Sequence, residues 1–340
     1  MPVTIKDVAR ESGVNVSTVS RALNGEYGVH AETRELVVAV AQRLRYRPNR
    51  VARGLVTGKS HTLGLVVSDI RNMFFSEVAR GAEDAAYRAG YDLVLCNSDL
   101  DAEKQMRYVQ SLAEKRVDGI LMNSVASLSK KQQDQLAGMG LPVVLLNRTA
   151  TRNSFSTVCA DNEAGGALAA EYLLKLGHRR IAHLTGPKHH GNMTERARGF
   201  GRVLEAAHPT VEPIVIHGKN NFAGGVELAE TLMAEHSGVT AIFVASDTMA
   251  FGVMRALIDA GRKIPQDISV MGFDNVELAS IVHPPLTTIH QPKYEIGQAA
   301  VEILLRLTGE DTHRTGEHRL FDVHLVERES CAELKPELKR

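Results

Sequence analysis

From Thr62 onward, short apolar runs alternate with stretches of helical spacing, and this alternation restricts the fold more than any other feature of the chain. Seven runs read as strands, and a helical stretch follows each of them. They are TLGLVVS, YDLVLCN, VDGILMN, PVVLLN, RIAHLTG, AIFVASD and ISVMGFD. Strands joined through helices form parallel sheets with helices on both faces. Because seven such units exceed one domain, we predict an α/β fold with two lobes of doubly wound parallel sheet.

Ligands of such sheets bind at the carboxyl ends of the strands, and two facing lobes place that site in the cleft between them. Aromatic faces can pack on the C–H faces of a sugar while fixed donors and acceptors take its hydroxyls. The polar and aromatic residues that follow the predicted strands or open the next helices are Phe74, Phe75, Asn147, Arg148, Arg196, Phe222, Ser246, Asp274 and Gln291. The alternative for each of them is an ordinary helix cap or strand-end hydrogen bond. Asp247, which follows Ser246, is a further polar residue at a strand end, and its alternative role is to cap the helix that it opens.

The first 46 residues predict a small all-α unit. Thr4 and Asp7 have the spacing of a capping box that starts the first helix, and Gly13 permits a tight turn after it. A second helix is predicted from about Asn15 to Leu23 and a third from about Ala31 to Leu44. Two short helices joined by a tight turn and packed by a third form a helix-turn-helix, whose second helix reads the major groove of DNA.

The second helix is rich in Ser and Thr, which are indifferent helix formers. Val14, Val19 and Leu23 have the spacing of a buried stripe, which leaves Val16, Ser17, Thr18, Ser20 and Arg21 on or near the exposed side. Small hydroxyl side chains let a helix approach DNA closely, and Arg21 can bond bidentately to guanine. The predicted core face of the third helix consists of Leu36, Val37, Val40 and Leu44.

Charge and motif content narrow the function. The net charge is zero, but residues 1–60 hold ten Lys/Arg against five Asp/Glu, so only this part is expected to meet a polyanion. No signal peptide or 18-residue apolar run is present, which predicts a cytoplasmic protein without a membrane partner. No nucleophile, phosphate-loop or metal-ligand motif stands out, so we expect neither an enzyme nor a cofactor.

The segments TIKDVARESGVNVSTVSRALNG and YRPNRVARGL resemble the headpiece and hinge of the LacI/GalR (lactose-repressor/galactose-repressor) family, and the likeness extends over essentially the whole chain. It implies a hinge helix that forms on the operator, where Leu55 wedges into the minor groove at a central C-G step and bends the duplex. The DNA-contacting residues it implies are Thr4, Asn15, Val16, Ser17, Thr18, Ser20, Arg21, Asn24, Tyr46, Asn49, Ala52, Arg53 and Leu55.

The resemblance also implies a domain layout. A helix-turn-helix headpiece over 1–46 and a hinge over 47–60 precede a periplasmic-binding-protein-like effector and dimerisation domain over 61–340. One lobe is expected from about 61–160 with 291–320, and the other from about 161–290 with 321–335. Because the chain ends in a short segment interrupted by Pro336, without a leucine-heptad helix, we expect a homodimer.

The run LASIVHPPLTTIHQPKYEIGQAA looks like the ribose and purine repressor branch of the family. Residues that match the ribose-binding relatives are Phe74, Phe75, Arg148, Arg196, Asp274 and Gln291. Asn147 stands where those relatives have Asp, and Ser246 where they have Asn. Phe222 matches an aromatic residue that purine-binding relatives place against a base. Because these two positions differ from the ribose-binding relatives, the predicted ligand is pentose-like or nucleoside-like and need not be ribose itself.

The sequence therefore predicts a repressor that binds double-stranded DNA, a pseudo-palindromic operator with a central C-G, and answers to a small effector such as ribose. Release of DNA is the favoured response. Open alternatives are a purine- or nucleoside-responsive co-repressor mechanism and a global carbon-control regulator that answers to a protein partner. A sugar-binding or sugar-processing protein is the distant alternative. Operator binding would place the protein on the nucleoid.

Overall fold

The computed structural model describes residues 3–47, 58–123, 128–147, 155–188, 191–207, 214–309 and 316–334. The chain divides into two compact units, Met1–Ser60 and His61–Arg340. The first is helical, and the second contains all the described β-strands.

The first unit contains helices α1 (Ile5–Ser12), α2 (Val16–Asn24) and α3 (Ala31–Arg43). The predicted capping box at the start of α1 is confirmed, since the Thr4 N–H and hydroxyl donate to the Asp7 carboxylate at 2.9 and 2.7 Å. Gly13 ends this helix in the left-handed conformation at φ 67°. The tight turn between α1 and α2 therefore forms as the sequence predicts.

Apolar side chains from all three helices form the core of the first unit. Val8, Val19 and Val37 are completely buried at its centre, and Val40 lies beside them. The placement of Leu36 in this core was wrong, because Leu36 is 49% exposed. The inward stripe of α3 passes through Val37, Val40 and Ala41, so its neighbour Leu36 points away from the core.

The second unit contains two six-stranded sheets in its described part. The order of the first is β11-β5-β4-β3-β1-β2, and all its pairs are parallel. Its strands are β1 (Thr62–Val67), β2 (Asp92–Asn97), β3 (Gly119–Asn123), β4 (Val143–Leu146), β5 (Ser156–Ala160) and β11 (His318–Phe321). Helices α4 (Met73–Arg88), α5 (Ala102–Glu114), α6 (Lys130–Gly138) and α11 (Lys293–Leu307) pack on it, and together they make the first lobe.

The second sheet has the order β12-β10-β9-β8-β6-β7, and only the β10–β12 pair is antiparallel. Its strands are β6 (Ile181–Thr185), β7 (Ile214–His217), β8 (Ala241–Val244), β9 (Ser269–Asp274), β10 (Thr287–His290) and β12 (His324–Val326). Helices α7 (Asn162–Lys175), α8 (Gly191–Ala206), α9 (Phe222–Glu235) and α10 (Asp247–Asp259) complete the second lobe, and a 3₁₀ helix (Glu277–Ser280) follows β9. The predicted doubly wound parallel architecture is confirmed.

The seven predicted apolar runs form β1, β2, β3, β4, β6, β8 and β9. Central strands such as β3 and β8 are buried along their whole length, which explains their continuous apolar character. The pattern does not predict the other five strands that the structure describes, which have three to five residues each and carry Ser, Thr or His.

Among the residues that the structure describes, three chain segments connect the two lobes, between β5 and α7, between β10 and α11, and between β11 and β12. Hydrogen bonding and ring contact hold them beside one another. The Asp161 N–H donates to the Phe321 carbonyl at 2.8 Å, and the rings of His290 and His324 lie 4.6 Å apart. Any movement of one lobe relative to the other must therefore change the backbone conformation of these adjacent segments.

Glycines bring three helix pairs unusually close, namely α4–α11, α7–α8 and α9–α10. A Cβ atom added at Gly297 would lie 2.1 Å from the Val78 carbonyl oxygen, and one at Gly166 would lie 2.0 Å from the Arg196 carbonyl oxygen. The third pair is closed in the same way at Gly225 and Gly252. Because these contacts are backbone to backbone, each helix pair is fixed in register, and the residues that open the helices are fixed with it.

Candidate ligand site and nucleic-acid interface

Helix α2 exposes most of the residues predicted to read DNA. Val16, Ser17 and Arg21 are exposed, whereas Thr18 and Ser20 are half-buried. The Arg21 side chain makes no hydrogen bond or ion pair with any other residue that the structure describes, while its backbone carbonyl accepts from the Glu26 N–H at 3.0 Å. A guanidinium that is exposed and uncommitted can meet a base edge without first breaking an internal bond.

Of the remaining headpiece candidates, Thr4, Asn24 and Tyr46 have side-chain partners inside the first unit. Asn15 is exposed in front of α2, and Asn24 donates to Ser20 Oγ at 3.4 Å. Tyr46 packs against the helical core, and this burial raises the pKa of its phenol. Four hinge candidates lie outside the described residues: Asn49, Ala52, Arg53 and Leu55. Their DNA contacts stay predictions.

The carboxyl ends of the strands bring three of the predicted ligand residues together. Gln291 Nε2 donates to Asp274 Oδ1 at 2.6 Å, and Arg196 Nη1 lies 3.6 Å from the same oxygen. All three side chains are buried. The cluster joins the end of β9, the start of the segment after β10 and the glycine-packed helix α8.

The Arg196 guanidinium is held from several sides. Its Nε donates to Asn162 Oδ1 at 2.9 Å, and Nη1 also donates to the Ala245 carbonyl. The Phe273 ring lies under it, 3.7 Å from the guanidinium carbon to the ring centroid. Burial lowers the pKa of Arg196, and the Asp274 carboxylate opposes that shift. The side chain is thus an immobile donor at the base of the cluster.

Asp274 of this cluster and Asp247, the first residue of α10, are both buried carboxyls. Burial is the main cause that raises the pKa of both Asp247 and Asp274, and the Asp274 charge raises the pKa of Asp247 further. Arg196 and Lys293 oppose the shift of Asp274. Asp247 does not cap α10, because its carboxylate accepts from the Val276 N–H at 2.9 Å and from the Thr288 hydroxyl at 2.7 Å. Ser246 caps that helix instead, accepting from the Met249 N–H.

Phe74 and Phe75 open α4 at the facing edge of the first lobe. They are buried and pack edge to face with centroids 5.1 Å apart. Asn72 caps the helix by accepting from the Phe74 N–H at 3.0 Å, and the Thr248 hydroxyl of the second lobe lies 3.5 Å from the same Asn72 oxygen. The starts of α4 and α10 therefore meet across the cleft.

Several buried oxygen atoms near these strand ends lack a hydrogen-bond partner among the described residues. They are Asn147 Oδ1, Thr185 Oγ1 and Gln291 Oε1. Asn147 directly follows β4 and has a left-handed φ of 54°. Because a buried acceptor without a donor costs about 1–3 kcal/mol, such atoms favour a ligand that brings hydroxyl or amine donors. Arg148 lies outside the described residues.

Sequence reasoning missed Asn220, which contacts a predicted ligand residue. Ser246 donates from its hydroxyl to Asn220 Oδ1 at 2.8 Å, and this bond turns the Asn220 amide nitrogen away from Ser246. Phe222, predicted to face the ligand, opens α9 and is 48% exposed. Asn221 caps α9 through its own side chain, so the cap sets which neighbour faces the strand ends.

Two comparisons of sequence decide the family. Residues 4–49 match the model of bacterial regulatory proteins of the lacI family, and residues 170–331 match that of a periplasmic binding protein-like domain. The HTH-type transcriptional repressor PurR of Vibrio cholerae serotype O1 is 41% identical over 335 residues, which cover 97% of this chain and 98% of that protein. The chain belongs to the lacI family of bacterial regulatory proteins.

Further relatives agree with this assignment. The catabolite control protein A of Priestia megaterium is 37% identical over 92% of this lacI-family chain and 94% of its own length. The crystal structure of the lac repressor dimer, bound to operator and an anti-inducer, matches with a TM-score of 0.87 at 31% identity, over 98% of this chain and all of that one. A lacI-family regulator from Enterococcus faecium with bound ribose matches with a TM-score of 0.74 at 32% identity, over 81% of this chain and all of that one.

The family assignment confirms the resemblance seen in the sequence. The lacI-family chain is a DNA-binding transcriptional regulator and not an enzyme, so the sugar-processing alternative is set aside. No three His, Cys, Asp or Glu side chains in the described ranges could hold a metal ion. Within those same ranges no helix is long and apolar enough to cross a membrane.

Proposed function

We propose that this lacI-family regulator is a repressor whose operator affinity is controlled by a small, neutral polyhydroxyl ligand, bound in the cleft between the two lobes. The buried cluster of Arg196, Asp274 and Gln291 carries the proposal. Its fixed donors and acceptors, with the unpaired Oε1 of Gln291 among them, suit a ligand that both donates and accepts hydrogen bonds, and the unpaired Oδ1 of Asn147 after β4 is a further acceptor for such a ligand.

The charge balance of the cluster supports a neutral ligand. Arg196 lies against Asp274, so the described part of the cluster offers no uncompensated cation for a phosphate or carboxylate. Phe74 and Phe75 supply apolar faces at the start of α4. A pentose such as D-ribose is the ligand we propose first, and the ribose-bound relative from Enterococcus faecium supports that choice.

Two departures reshape the proposed sugar site. Asn147 and Ser246 are the positions where ribose-binding relatives carry other polar residues. Ser246 is engaged with Asn220, whose amide nitrogen is free to donate among the described residues. We therefore include Asn220 in the ligand site, where it contributes the amide that Ser246 lacks.

A purine or nucleoside effector is the second candidate. The PurR relative of Vibrio cholerae, 41% identical over 97% of the chain, favours it. The exposed ring of Phe222 would have to fold over a bound base to contribute. A global carbon-control role through a protein partner is the third candidate, and it rests on the likeness to catabolite control protein A.

We propose that each subunit reads one half-site through Val16, Ser17 and Arg21, and that Leu55 of the hinge wedges into the minor groove at a central C-G step. A pseudo-palindromic operator requires a two-fold protein, hence a homodimer acting on nucleoid DNA in the cytoplasm. Exposed apolar residues on edge strand β2, Val94 and Leu95, with Ile281 of the second lobe, offer surface for the partner subunit.

Fluorescence anisotropy of a C-G-centred palindromic duplex tests this function. The duplex is titrated with protein at fixed salt, first alone and then with D-ribose, nucleosides and free purines. A higher operator Kd in D-ribose supports a pentose-released repressor, and a lower one makes ribose a co-repressor. A response only to nucleosides or purines replaces the pentose with the second candidate. Operator binding that no small molecule changes favours a protein partner.

A further inference from the structure

We propose that Lys293 couples the two lobes as a positioning residue, by holding the backbone corner that carries Asp274 from a helix of the opposite lobe. This inference rests on the proposed ligand site, since Asp274 is the ligand residue that Lys293 positions. Lys293 itself need not touch the ligand.

The backbone of Lys293 belongs to the first lobe. It is the first residue of α11, which is packed on α4 without room for a side chain at the contact: a Cβ added at Gly81 would lie 2.0 Å from the Tyr294 carbonyl oxygen. Gly297 makes the matching approach one turn later, and the Tyr294 hydroxyl donates to Asp84 at 3.0 Å. The start of α11 therefore moves with α4.

The ammonium of Lys293 reaches into the second lobe. Its Nζ donates to the carbonyls of Asp274 at 2.8 Å and Asn275 at 2.9 Å, with Gln291 O at 3.4 Å. The side chain is 2% exposed, so these bonds replace water almost completely. Asp274 and Asn275 both have positive φ, 119° and 52°, which turns their carbonyls together toward one donor. Such backbone persists only where its surroundings hold it.

Glu77 completes the link on the first lobe. Its carboxylate lies 3.6 Å from Lys293 Nζ, and it stands two residues after Phe75 on α4. Burial raises the pKa of Glu77, while the Lys293 charge lowers it. The Lys293 ammonium thus joins α4, which carries Phe74 and Phe75 at its start, to the backbone corner at Asp274 and Asn275. The proposed ligand would contact Phe74 and Phe75 on one side and Asp274 on the other.

The second lobe supports the same corner independently. Asp247 accepts from the Val276 N–H at 2.9 Å, and Arg328 Nη2 donates to Asn275 Oδ1 at 2.7 Å. The corner therefore has one support from across the cleft and others from its own lobe. Loss of Lys293 should leave the corner folded but uncouple it from α4, whereas loss of Arg328 should weaken the corner without touching the link between lobes.

This difference gives the test its matched control. Variants Lys293→Met, Glu77→Gln and Arg328→Met are compared with the wild type in the full-length protein. Isothermal titration calorimetry gives the D-ribose Kd, and operator anisotropy with and without saturating D-ribose gives the coupling factor. Thermal unfolding reports stability. We expect Lys293→Met and Glu77→Gln to reduce a coupling factor in the usual range of about 5 to 150 towards 1, and Arg328→Met to keep it.

A ligand-independent arm separates failure of this inference from failure of the proposed effector. Spin labels at exposed Tyr87 of α4 and Ile258 of α10, in a Cys331→Ser background, report the distance between lobes by pulsed electron paramagnetic resonance. Lys293→Met and Glu77→Gln should broaden the distance distribution, and Arg328→Met should not. If D-ribose leaves the wild type unchanged, the effector assignment fails and the distances alone decide the role of Lys293. Wild-type distances in Lys293→Met, or equal effects of Lys293→Met and Arg328→Met, would overturn it.

Discussion

Gln291 donates a 2.6 Å hydrogen bond to Asp274, and this bond attaches the proposed ligand carboxylate directly to one of the segments that connect the lobes. Gln291 is the first residue after β10, on the path that leads to α11. A ligand that competes for Asp274 must therefore disturb a connecting segment. The Oε1 atom of Gln291, which has no partner among the described residues, is free to take a ligand hydroxyl in exchange.

Arg196 stabilises this arrangement by compensating the Asp274 charge. We expect Arg196→Met to lower the free energy of unfolding by about 3–5 kcal/mol, because it removes the guanidinium that lies against a buried carboxylate. Arg198→Met on the same helix is the control, since Arg198 pairs with Glu163 at 2.7 Å on the surface and should cost less than about 1 kcal/mol. Urea unfolding measures both variants. Equal costs would mean that the buried pair does not stabilise the second lobe.

His183 predicts a pH dependence of stability. The ring is completely buried, stacks on Phe243 with centroids 4.6 Å apart and contacts the Phe243 carbonyl at 3.1 Å, and burial lowers its pKa to about 4. Between pH 4 and the ordinary His pKa of about 6.5, the unfolded chain therefore binds more protons at His183 than the folded one. The contribution of neutral, buried His183 to the free energy of unfolding is fully present above pH 6.5 and is lost as pH falls towards 4.

The variant His183→Phe isolates this contribution. It keeps a stacked ring of similar volume and removes the titrating group. The difference in unfolding free energy between wild type and variant should change by on the order of 3 kcal/mol between pH 7 and pH 4. Chemical denaturation at a series of pH values measures the difference. A constant difference over that range would show that His183 does not remain neutral in the folded protein.

How much of the fold the sequence could predict follows from burial. Strands such as β3 and β8 are covered on both faces and consist mainly of apolar residues, so the run is visible in the sequence. Strand β5 is buried just as completely but begins with Ser156 and Thr157, which interrupt the apolar run. Once these strands are placed, the residues at their ends are placed too, which is how the pattern indicates Asp274 at the end of β9. Arg196 lies within α8 and Gln291 follows the unpredicted strand β10, and their match to the ribose-binding relatives is what names them together with Asp274. The edge strand β12 is not predicted, because it has only three residues and none of them is fully buried, which leaves no period to detect.

The site residues that the sequence did not predict owe their positions to local backbone geometry. Lys293 has the sequence appearance of an exposed helix-opening lysine, and lysines are almost never fully buried. Its burial arises from the positive-φ corner at Asp274 and Asn275, which no sequence pattern announces for those residue types. Asn220 and Phe222 flank Asn221, the N-cap of α9. Because the Asn221 side chain is bonded to the Gly224 N–H, the chain direction at this cap places Asn220, and not Phe222, against Ser246.

Arg21 should carry much of the operator specificity. A bidentate contact with guanine is worth about 1–3 kcal/mol, so Arg21→Ala should raise the operator Kd roughly 5- to 150-fold while affecting random duplex much less. Arg43→Ala is the control, because Arg43 lies on α3 and pairs with Glu11 at 3.0 Å. Anisotropy on both duplexes measures the two variants. Equal weakening on operator and random duplex by Arg21→Ala would assign this residue to the phosphate backbone.

Leu55 tests the proposed hinge. Leu55→Ala should weaken binding to a C-G-centred operator much more than binding to random DNA, because only the specific site recovers in protein contacts the few kcal/mol spent on unstacking the central step. A circular-permutation assay on the same duplex should show a smaller bend. The neighbouring Val56→Ala serves as the control for loss of apolar surface in the linker. Similar losses on both DNAs would rule out a wedge at Leu55.

Asn220 tests the proposed ligand geometry at the level of single atoms. Its Oδ1 accepts from the Ser246 hydroxyl, which leaves the amide nitrogen as the group that can face a ligand acceptor. Asn220→Asp preserves shape and the bond from Ser246 but replaces that donor with an acceptor. Because a lost hydrogen bond that leaves a partner unsatisfied costs about 1–3 kcal/mol, the D-ribose Kd should rise roughly 5- to 150-fold by calorimetry. Lys219→Gln, an exposed neighbour paired with Glu227, should leave the Kd unchanged. An Asn220→Asp protein with wild-type affinity would remove Asn220 from the site and return the contact to Ser246.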